Sequence, residues 1–313
     1  MTPFLINIGY PKTATSFLQK LVFTNTRIFT QPWGSMPTQA IEQFALAHPR
    51  RFDAATTRAI FTDQLDKDDT RVPVISHESL SGNPFYAQYH MDIVARRMHA
   101  AFPEARILIG IREQRSMLRS IYFQYVREGG GQSLTEVLQT NLGRTGYRPP
   151  LRMEHFEYDL TIRHYARLFG AENILVLPVE QLKYDTSAYI ASLASFLGAD
   201  WKEPVPEDVV YGSRPETAMR LERVVNRILP KPAVRPKTYS RNPLWFRIRQ
   251  NLLRKVEKPL ARLEARAPRA SAIDTEIEAF IGESFAASNA RTAAMTGLDL
   301  TALGYPVTSD PPV

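Results

Sequence analysis

An α/β fold, with helices on both faces of a mostly parallel central sheet, is predicted for this chain from three observations. Short apolar runs alternate along the sequence with longer segments of helical periodicity. The first apolar run closes in a glycine, and a polar loop and a helix follow it. A length of 313 residues, with 44% hydrophobic and 23% charged residues, is enough to bury a sizeable core. We therefore predict a three-layer sandwich formed by a single domain over residues 1–313.

The predicted strands are short and almost entirely apolar, which is typical of parallel strands buried on both faces. The first strand is FLINIG, and the others are VPVIS, RILIGIR and NILVLPVE. In chain order they cover residues 4–9, 72–76, 106–112 and 173–180.

The predicted helices fall between and after these strands, where apolar residues recur at helical spacing. The glycine run at 129–131 is expected to end one of them, because glycine favours helix termini and flexible joints. The first of them begins in SFLQKLVF, after the first strand, and five more are predicted over residues 91–102, 114–127, 158–169, 184–197 and 275–289.

Positive charge is concentrated in one segment. The net charge is +7, yet residues 231–269 alone hold twelve Lys or Arg against two acids. We interpret this proline-containing stretch, at about 230–270, as a basic helical insertion into the domain. It could pack its apolar side on the domain with its arginines in solvent, or it could bind an anionic membrane, glycan or lipid-linked sugar. No nucleic-acid reader motif accompanies the charge, so nucleic acid is not an expected partner.

Several classes of site are disfavoured by composition. The chain has no cysteine, which removes disulfides, thiolate ligands and cysteine nucleophiles. The six histidines show no zinc-binding spacing, so we expect no metal. The N-terminal residues do not have the pattern of a signal peptide, and no apolar run is long enough to cross a bilayer. The sequence predicts a cytoplasmic protein, with peripheral contact at the inner membrane surface through 231–269 as one alternative.

The loop from Gly9 to Ser16 joins the first strand to the first helix. A helix start presents free backbone N–H groups and the positive end of the helix dipole. Lys12 adds a full positive charge, and hydroxyl donors follow it in the sequence. The loop therefore predicts a phosphate-like ligand. It is not a Walker A loop, in which the lysine directly precedes the helical Ser or Thr, because Lys12 comes four residues before Ser16.

This segment, PKTATS, resembles the 5′-phosphosulfate loop of sulfotransferases that use PAPS (3′-phosphoadenosine-5′-phosphosulfate), commonly PKTGTT or PKSGTT. The resemblance implies a P-loop-like nucleotide site in which Lys12 is catalytic and stabilises the leaving group. Ala14 stands where the family usually has glycine, which matters if that position needs a positive φ or a close backbone approach. The residues implied to bind the 5′-phosphate are Pro11, Lys12, Thr13, Ala14, Thr15 and Ser16.

A second motif follows the strand ILIGI. It resembles the 3′-phosphate motif of the same family, in which an arginine ends a strand and a serine follows eight residues later. Arg112 and Ser120 occupy these positions, and Gln114 replaces a proline often found there. Positions 112, 116 and 120 share one helix face if the helix begins promptly. An arginine can contact a phosphate through two charge-assisted hydrogen bonds, and a serine can add a hydroxyl donor.

Two later stretches resemble the bacterial branch of this family. They are RHYARLFGAENILVLPVEQLKYD and FAASNARTAAMTGLDLTALGYP. The resemblance implies PAPS as cosubstrate, PAP as product and a hydroxyl group as acceptor, with a saccharide or glycoconjugate as the expected acceptor class. A loop at 211–214 could cover the nucleotide, although other interpretations of it are equally open.

A general base is required to take the acceptor's proton. The strand VPVIS leads into His77 and Glu78 at the same sheet edge as the phosphate loop. Glycan sulfotransferases often use a glutamate in this region, and the cytosolic small-molecule group uses a histidine. Glu78 is the preferred candidate and His77 the alternative, while a capping or salt-bridge role is open for both.

Two other functions remain as alternatives. A nucleotide-dependent kinase is disfavoured by the missing Walker lysine and by Arg112 with Ser120. A non-catalytic protein that binds PAP or an anionic glycan would keep the same binding residues without turnover.

Overall fold

The structure is a computed structural model of the whole chain. It describes residues 2–84, 88–139, 152–204, 215–228 and 271–309. It also describes residues 251, 255, 256, 259, 260 and 262. Internal contacts divide the chain into two compact units. The first unit consists of 1–114, 152–209 and 283–313, and the second of 115–151 and 210–282. The prediction of a single domain remains a prediction.

The first unit contains a five-stranded sheet in the order β2-β3-β1-β4-β5, and all neighbouring strands are parallel. This confirms the predicted α/β fold. The strands are β1 (Leu5–Asn7), β2 (Phe29–Thr30), β3 (Val72–Ser76), β4 (Arg106–Ile111) and β5 (Ile174–Pro178). β2 was not predicted, because two residues are too short to give a period-2 pattern.

Helices connect the strands, as parallel pairing requires. Within the first unit they are α1 (Thr15–Phe17), α2 (Thr38–Ala40), α3 (Ala54–Thr62), α4 (Met91–Ala101), α7 (Tyr158–Phe169), α8 (Val179–Tyr184), α9 (Thr186–Leu197) and α12 (Ala286–Thr296). π-Helical turns continue α1 over Leu18–Val22 and α2 over Ile41–Leu46, and a 3₁₀ turn at Glu78–Ser81 follows β3.

Both faces of the sheet are buried. Leu5, Leu108 and Leu177 point to one face, where they pack in a cluster with residues of α1 and α9. Their strand neighbours Ile6 and Ile107 are also fully buried, although successive residues of a strand point to opposite faces. The sheet is therefore the middle layer of the predicted sandwich.

β1 lies at the centre of the sheet, between β3 and β4. From β1 the chain runs to β2 and β3 on one side and then crosses to β4 and β5 on the other. In open α/β sheets, ligands bind outside the carboxyl ends of the strands where the strand order reverses in this way. A ligand site is therefore expected among the residues that follow β1, β3 and β4.

Two predicted helices differ from the observed ones, each because of a capping residue. The helix predicted over 184–197 begins instead at Thr186, because the Asp185 carboxylate caps α9 by accepting from the Ala188 N–H at 2.8 Å, and Tyr184 is the last residue of α8. The helix predicted over 275–289 is two helices, because Gly282, with a φ of 44°, ends the first of them.

The second unit contains α5 (Gln114–Arg127) except for its first residue, α6 (Leu134–Gln139), α10 (Glu216–Ile228) and α11 (Ala272–Ile281). Arg115 and Arg119 of α5 pair with Glu278 and Asp274 of α11 at 2.6 and 3.1 Å. The loop at 211–214 lies outside the described residues, as does most of the basic insertion.

Polar residues share the buried side of α10 with Ala218 and Met219, and large apolar residues lie on its exposed side. Glu222 and Asn226 are 2% and 3% exposed, and the Asn226 amide donates to the carbonyls of Val126 and Gly130 at the end of α5. The opposite side presents Leu221, Val224 and Ile228, which are 37%, 49% and 73% exposed. An ordinary surface helix keeps large apolar residues off its exposed side, so this apolar stripe is unusual.

Candidate active site

The loop after β1 is held in an unusual backbone conformation. Lys12 and Ala14 have φ values of 70° and 64°, in the left-handed region that costs a non-glycine residue roughly 1–2 kcal/mol. Ala14 caps α1 in this conformation. Glycine would adopt this conformation without strain, so the departure at Ala14 falls on a position that needs a positive φ.

Thr13 holds the loop from inside. Its hydroxyl donates to the Tyr10 carbonyl at 2.7 Å and accepts from the Tyr10 N–H at 3.1 Å. Thr13 also packs on β4 at Gly110, where an added Cβ would lie 2.6 Å from the Thr13 hydroxyl oxygen. Because this hydroxyl is already engaged, Thr13 can offer a ligand its backbone N–H but not the side-chain hydrogen bond expected from the sequence.

The next donors along the loop have no protein partner. Among the described residues, the backbone N–H groups of Thr13, Ala14, Thr15 and Ser16 donate no hydrogen bond. The Thr15 hydroxyl is buried and likewise has no partner within that part of the chain. Buried polar groups are normally satisfied, so this cluster at a helix start fits an anion that the protein itself does not supply.

Glu78 lies directly beside this loop. A Cβ added to Gly9, which has a φ of 53°, would lie 2.9 Å from the Thr15 hydroxyl and 3.6 Å from the Glu78 Cα. The 3₁₀ turn after β3 therefore passes over the start of the loop, and the absence of a side chain at position 9 allows this approach. The structure brings together the loop and the preferred base.

His77 has a different environment. Its Nδ1 accepts from the Ser79 N–H at 3.2 Å, so the neutral ring carries its proton on Nε2. Burial lowers the pKa of His77 and so favours that neutral form. A ring with Nδ1 engaged and Nε2 protonated has no free lone pair for an acceptor's proton. His77 therefore has the capping role that is one alternative for both residues, since its side chain caps the 3₁₀ turn at Glu78–Ser81.

Arg112 follows the carboxyl end of β4, next to the loop. One terminal nitrogen of its guanidinium is 3.5 Å from the Lys12 carbonyl oxygen. Its Nε is buried and finds no acceptor among the described residues. Burial lowers the pKa of Arg112, while the negative charge of Glu180 acts in the opposite direction. An unpartnered guanidinium nitrogen beside an anion loop fits a second anionic group.

Arg112 and Ser120 do not share a helix. α5 begins at Gln114, so Arg112 precedes the helix and the i, i+4 spacing does not put it on a helix face with Ser120. Ser120 belongs to the second unit, and its predicted contribution to a 3′-phosphate site remains a prediction.

Gln114 has a role that the sequence did not predict. Its side-chain amide and that of Asn289 exchange two hydrogen bonds, of 2.7 and 3.1 Å, and both residues are fully buried. A proline at position 114 could not form this pair. Gln114, in place of that proline, therefore links the first residue of α5 to α12.

A buried polar network supports the loop from below. The Asn7 side chain accepts from the Gly9 N–H at 3.1 Å and donates to the Ser76 hydroxyl at 3.0 Å. Gln19 donates to both the hydroxyl and the carbonyl of Ser76 at 3.2 Å. These residues were not among the predicted site residues, although polar residues at the ends of two otherwise apolar strands are a usable signal.

Two further findings limit the kind of site. Where the chain is described, no group of three or more histidines and carboxylates is arranged to hold a metal ion. A hollow of about 410 Å³ runs along β5 and includes none of the loop residues. The candidate site is therefore identified by its hydrogen-bond donors and not by a cavity or a group of metal ligands.

The described helices include none with both the length and the apolar composition needed to cross a bilayer.

Comparison with known proteins gives matches among solved structures only. No protein-family model and no curated protein sequence matches the chain. It is similar to a sulfotransferase from Alicyclobacillus acidocaldarius, with a TM-score of 0.49 and 20% identity, over 74% of this chain and 97% of that one.

Two other similar structures are also sulfotransferases. The sulfotransferase domain of the olefin synthase from Synechococcus PCC 7002 has a TM-score of 0.43 and 13% identity, over 74% of this chain and 82% of that one. Mouse sulfotransferase SULT7A1, complexed with PAP, has a TM-score of 0.37 and 16% identity, over 64% of this chain and 60% of that one.

Proposed function

We propose that this protein is a PAPS-dependent O-sulfotransferase. The observation that carries the proposal is the pairing of two unfilled donor groups at one sheet edge. The first is the set of loop amides with the Thr15 hydroxyl, and the second is the Arg112 guanidinium. PAPS offers a matching pair of anions, a 5′-phosphosulfate and a 3′-phosphate.

The reaction we propose is an in-line displacement at sulfur. The acceptor oxygen forms a bond to sulfur while the bond from sulfur to the bridging oxygen of the 5′-phosphate breaks. The electron pair leaves on that oxygen, so PAP departs with an added negative charge. Lys12, on the loop that would hold this phosphate, is the group assigned to stabilise the charge.

Glu78 is the proposed general base. Its carboxylate would take the acceptor's proton as the bond to sulfur forms. Two contacts support the assignment: the backbone of Glu78 lies against Gly9, and the Nδ1 lone pair of His77 is engaged by Ser79. His77 is retained as the alternative base.

We propose a saccharide or glycoconjugate as the acceptor, with a lipid-linked glycan as the specific form. The exposed side of α10 supports the lipid-linked form, because its apolar stripe is flanked by Arg220 and Arg227. The next part of the chain, 231–269, carries a surplus of ten positive charges. An apolar stripe with basic flanks is suited to an anionic bilayer surface.

Sedimentation with vesicles tests this membrane contact. Vesicles of phosphatidylcholine with phosphatidylglycerol should bind the protein, and those of phosphatidylcholine alone should bind it weakly. The triple substitution Leu221→Ser, Val224→Ser and Ile228→Ser should weaken binding about tenfold, at roughly 25 cal/mol per Å² of apolar surface. Leu46→Ser is a matched control, because Leu46 is 71% exposed elsewhere. Equal binding by the triple variant would refute the membrane assignment.

The enzymatic proposal is tested by transfer of radiolabelled sulfate from PAPS to a panel of glycans, lipid-linked sugars and phenols. Label in any acceptor supports a sulfotransferase, and the acceptor that is labelled identifies the substrate class. Tight PAP binding without transfer to any acceptor would favour the non-catalytic alternative. Transfer of the γ-phosphoryl group from ATP to one of the same acceptors, with ADP as the other product, would favour the kinase.

A further inference from the structure

The peptide group that joins Arg112 to Glu113 is held at both of its polar atoms. The Tyr158 hydroxyl donates to the Arg112 carbonyl oxygen. The Glu113 N–H donates to one carboxylate oxygen of Glu180 at 3.2 Å. The turn from β4 into α5 is therefore fixed immediately beside the arginine that the proposed function assigns to the 3′-phosphate.

Glu180 is itself fixed by the C-terminal segment. Its second carboxylate oxygen accepts from the Tyr305 hydroxyl at 2.8 Å, and both side chains are largely buried. Burial raises the pKa of Glu180. A buried carboxylate is costly unless its oxygens are hydrogen-bonded, so its retention here calls for an explanation.

The position of the Glu180 carboxylate is set by hydrogen bonds and not by side-chain packing alone. Glu180 connects three separate parts of the chain, which are the end of β4, the start of α8 and Tyr305 near the C-terminus. Its negative charge also favours the protonated, charged form of Arg112. Both effects act on the same residue, the arginine whose Nε has no acceptor among the described residues.

We propose that Glu180, held by Tyr305, is a positioning residue that orients Arg112 toward the 3′-phosphate of the nucleotide. This inference rests on the proposed function, since it assigns the anion at Arg112 to that phosphate. Glu180 acts on Arg112 through the hydrogen bond that it accepts from the Glu113 N–H. A different side chain at position 180 that still accepts this bond should therefore preserve PAP binding.

Calorimetric titration with PAP and with AMP tests the proposal, because only PAP carries the 3′-phosphate. Glu180→Ala should weaken PAP binding about tenfold, the value of a hydrogen bond to a charged group, and change AMP binding less than about twofold. Tyr305→Phe should weaken PAP binding about threefold in the same selective way. Glu180→Gln keeps an oxygen for the Glu113 N–H and should restore PAP binding to within about threefold of the wild type.

Control variants distinguish the orientation of Arg112 from a general loss of structure. Glu172→Ala removes an exposed glutamate and should leave both affinities unchanged. Equal weakening of PAP and AMP by Glu180→Ala would show a structural role and overturn the proposal. So would a Glu180→Gln variant as impaired as Glu180→Ala. If Glu180→Ala does not fold, the selective loss in Tyr305→Phe decides the matter, and its absence also overturns the proposal.

The substitution Arg112→Ala shows whether the 3′-phosphate site itself or only the role of Glu180 is wrong. If that substitution leaves the ratio of PAP to AMP affinity unchanged, the proposed 3′-phosphate site itself fails. If Arg112→Ala abolishes the preference for PAP while Glu180→Ala and Tyr305→Phe preserve it, only the role of Glu180 is refuted.

Discussion

The guanidinium of Arg112 lies 3.5 Å from the carbonyl oxygen of Lys12, although the two residues are one hundred positions apart in the chain. The contact exists because β1 and β4 are parallel neighbours, so the residues that follow them meet at one edge of the sheet. It places the residues of two separate sequence motifs in one location. Both motifs can therefore contact a single small ligand.

Lys12 should matter more for turnover than for nucleotide binding. Because it is assigned to the charge that develops on the leaving oxygen, Lys12→Ala should lower kcat by about 10²–10³-fold. PAP affinity should fall much less, since the loop amides remain. Steady-state kinetics with PAPS and calorimetry with PAP measure the two effects. Lys20→Ala, at an exposed position, is the control, and a Lys12→Ala variant with near-normal kcat would contradict the assignment.

Glu78 and His77 should respond differently to conservative substitution. Glu78→Gln should lower kcat by about 10²–10⁴-fold, because the amide cannot take the acceptor's proton. His77→Asn keeps a side-chain acceptor for the Ser79 N–H and should retain turnover within about fivefold. Single-turnover kinetics measures both variants. The opposite pattern would assign the base to His77.

Ala14→Gly should stabilise the protein. Ala14 has a φ of 64°, and relief of this strain, offset by the greater freedom of glycine in the unfolded chain, leaves a gain of about 0.5–1 kcal/mol. Urea denaturation measures the difference, and turnover should be maintained. Ala166→Gly, inside α7, is the control and should instead cost about 1 kcal/mol. A destabilised Ala14→Gly variant would argue against the left-handed conformation.

His155 should make the folded state sensitive to acid. Burial, with nearby His90 as the smaller cause, lowers the pKa of His155 to about 4, below the value of about 6.5 expected when unfolded. As pH falls below 6.5 the unfolded chain binds a proton that the folded chain does not. Stability should therefore fall between pH 6.5 and 4, by at most about 1.4 kcal/mol per pH unit from this group.

Replacement of His155 checks that pH dependence. His155→Phe should flatten the stability profile over this range, since phenylalanine can keep the ring contact with Tyr10, whose centroid is 5.1 Å away. His48→Phe, at an exposed histidine, should leave the slope unchanged. Urea denaturation at several pH values provides the measurement, and an unchanged slope in His155→Phe would contradict the assignment.

Much of the fold was predictable because buried parallel strands have a distinctive sequence pattern. The runs that form β1, β3, β4 and β5 are apolar on both faces and short. Helix boundaries were less accessible. Asp185 and Gly282 end or begin helices through local geometry that apolar periodicity does not report.

The loop residues of the site were predictable, but their supports were not. The resemblance of PKTATS to a known loop drew attention to Lys12, whereas nothing local to the sequence links Glu180 to Tyr305 or Gln114 to Asn289. Those pairs are more than one hundred residues apart and form only when the chain folds. Gly110 offered a weak signal, since a glycine within a strand often marks a close backbone approach.

Thermal-shift titration of the wild-type protein with PAP and with AMP tests the central claim most directly. If the loop at Lys12 and the guanidinium at Arg112 bind the two ends of one nucleotide, PAP should raise the Tm at concentrations at least about tenfold lower than AMP requires. Equal shifts by the two nucleotides at equal concentration, or no shift by either, would contradict it.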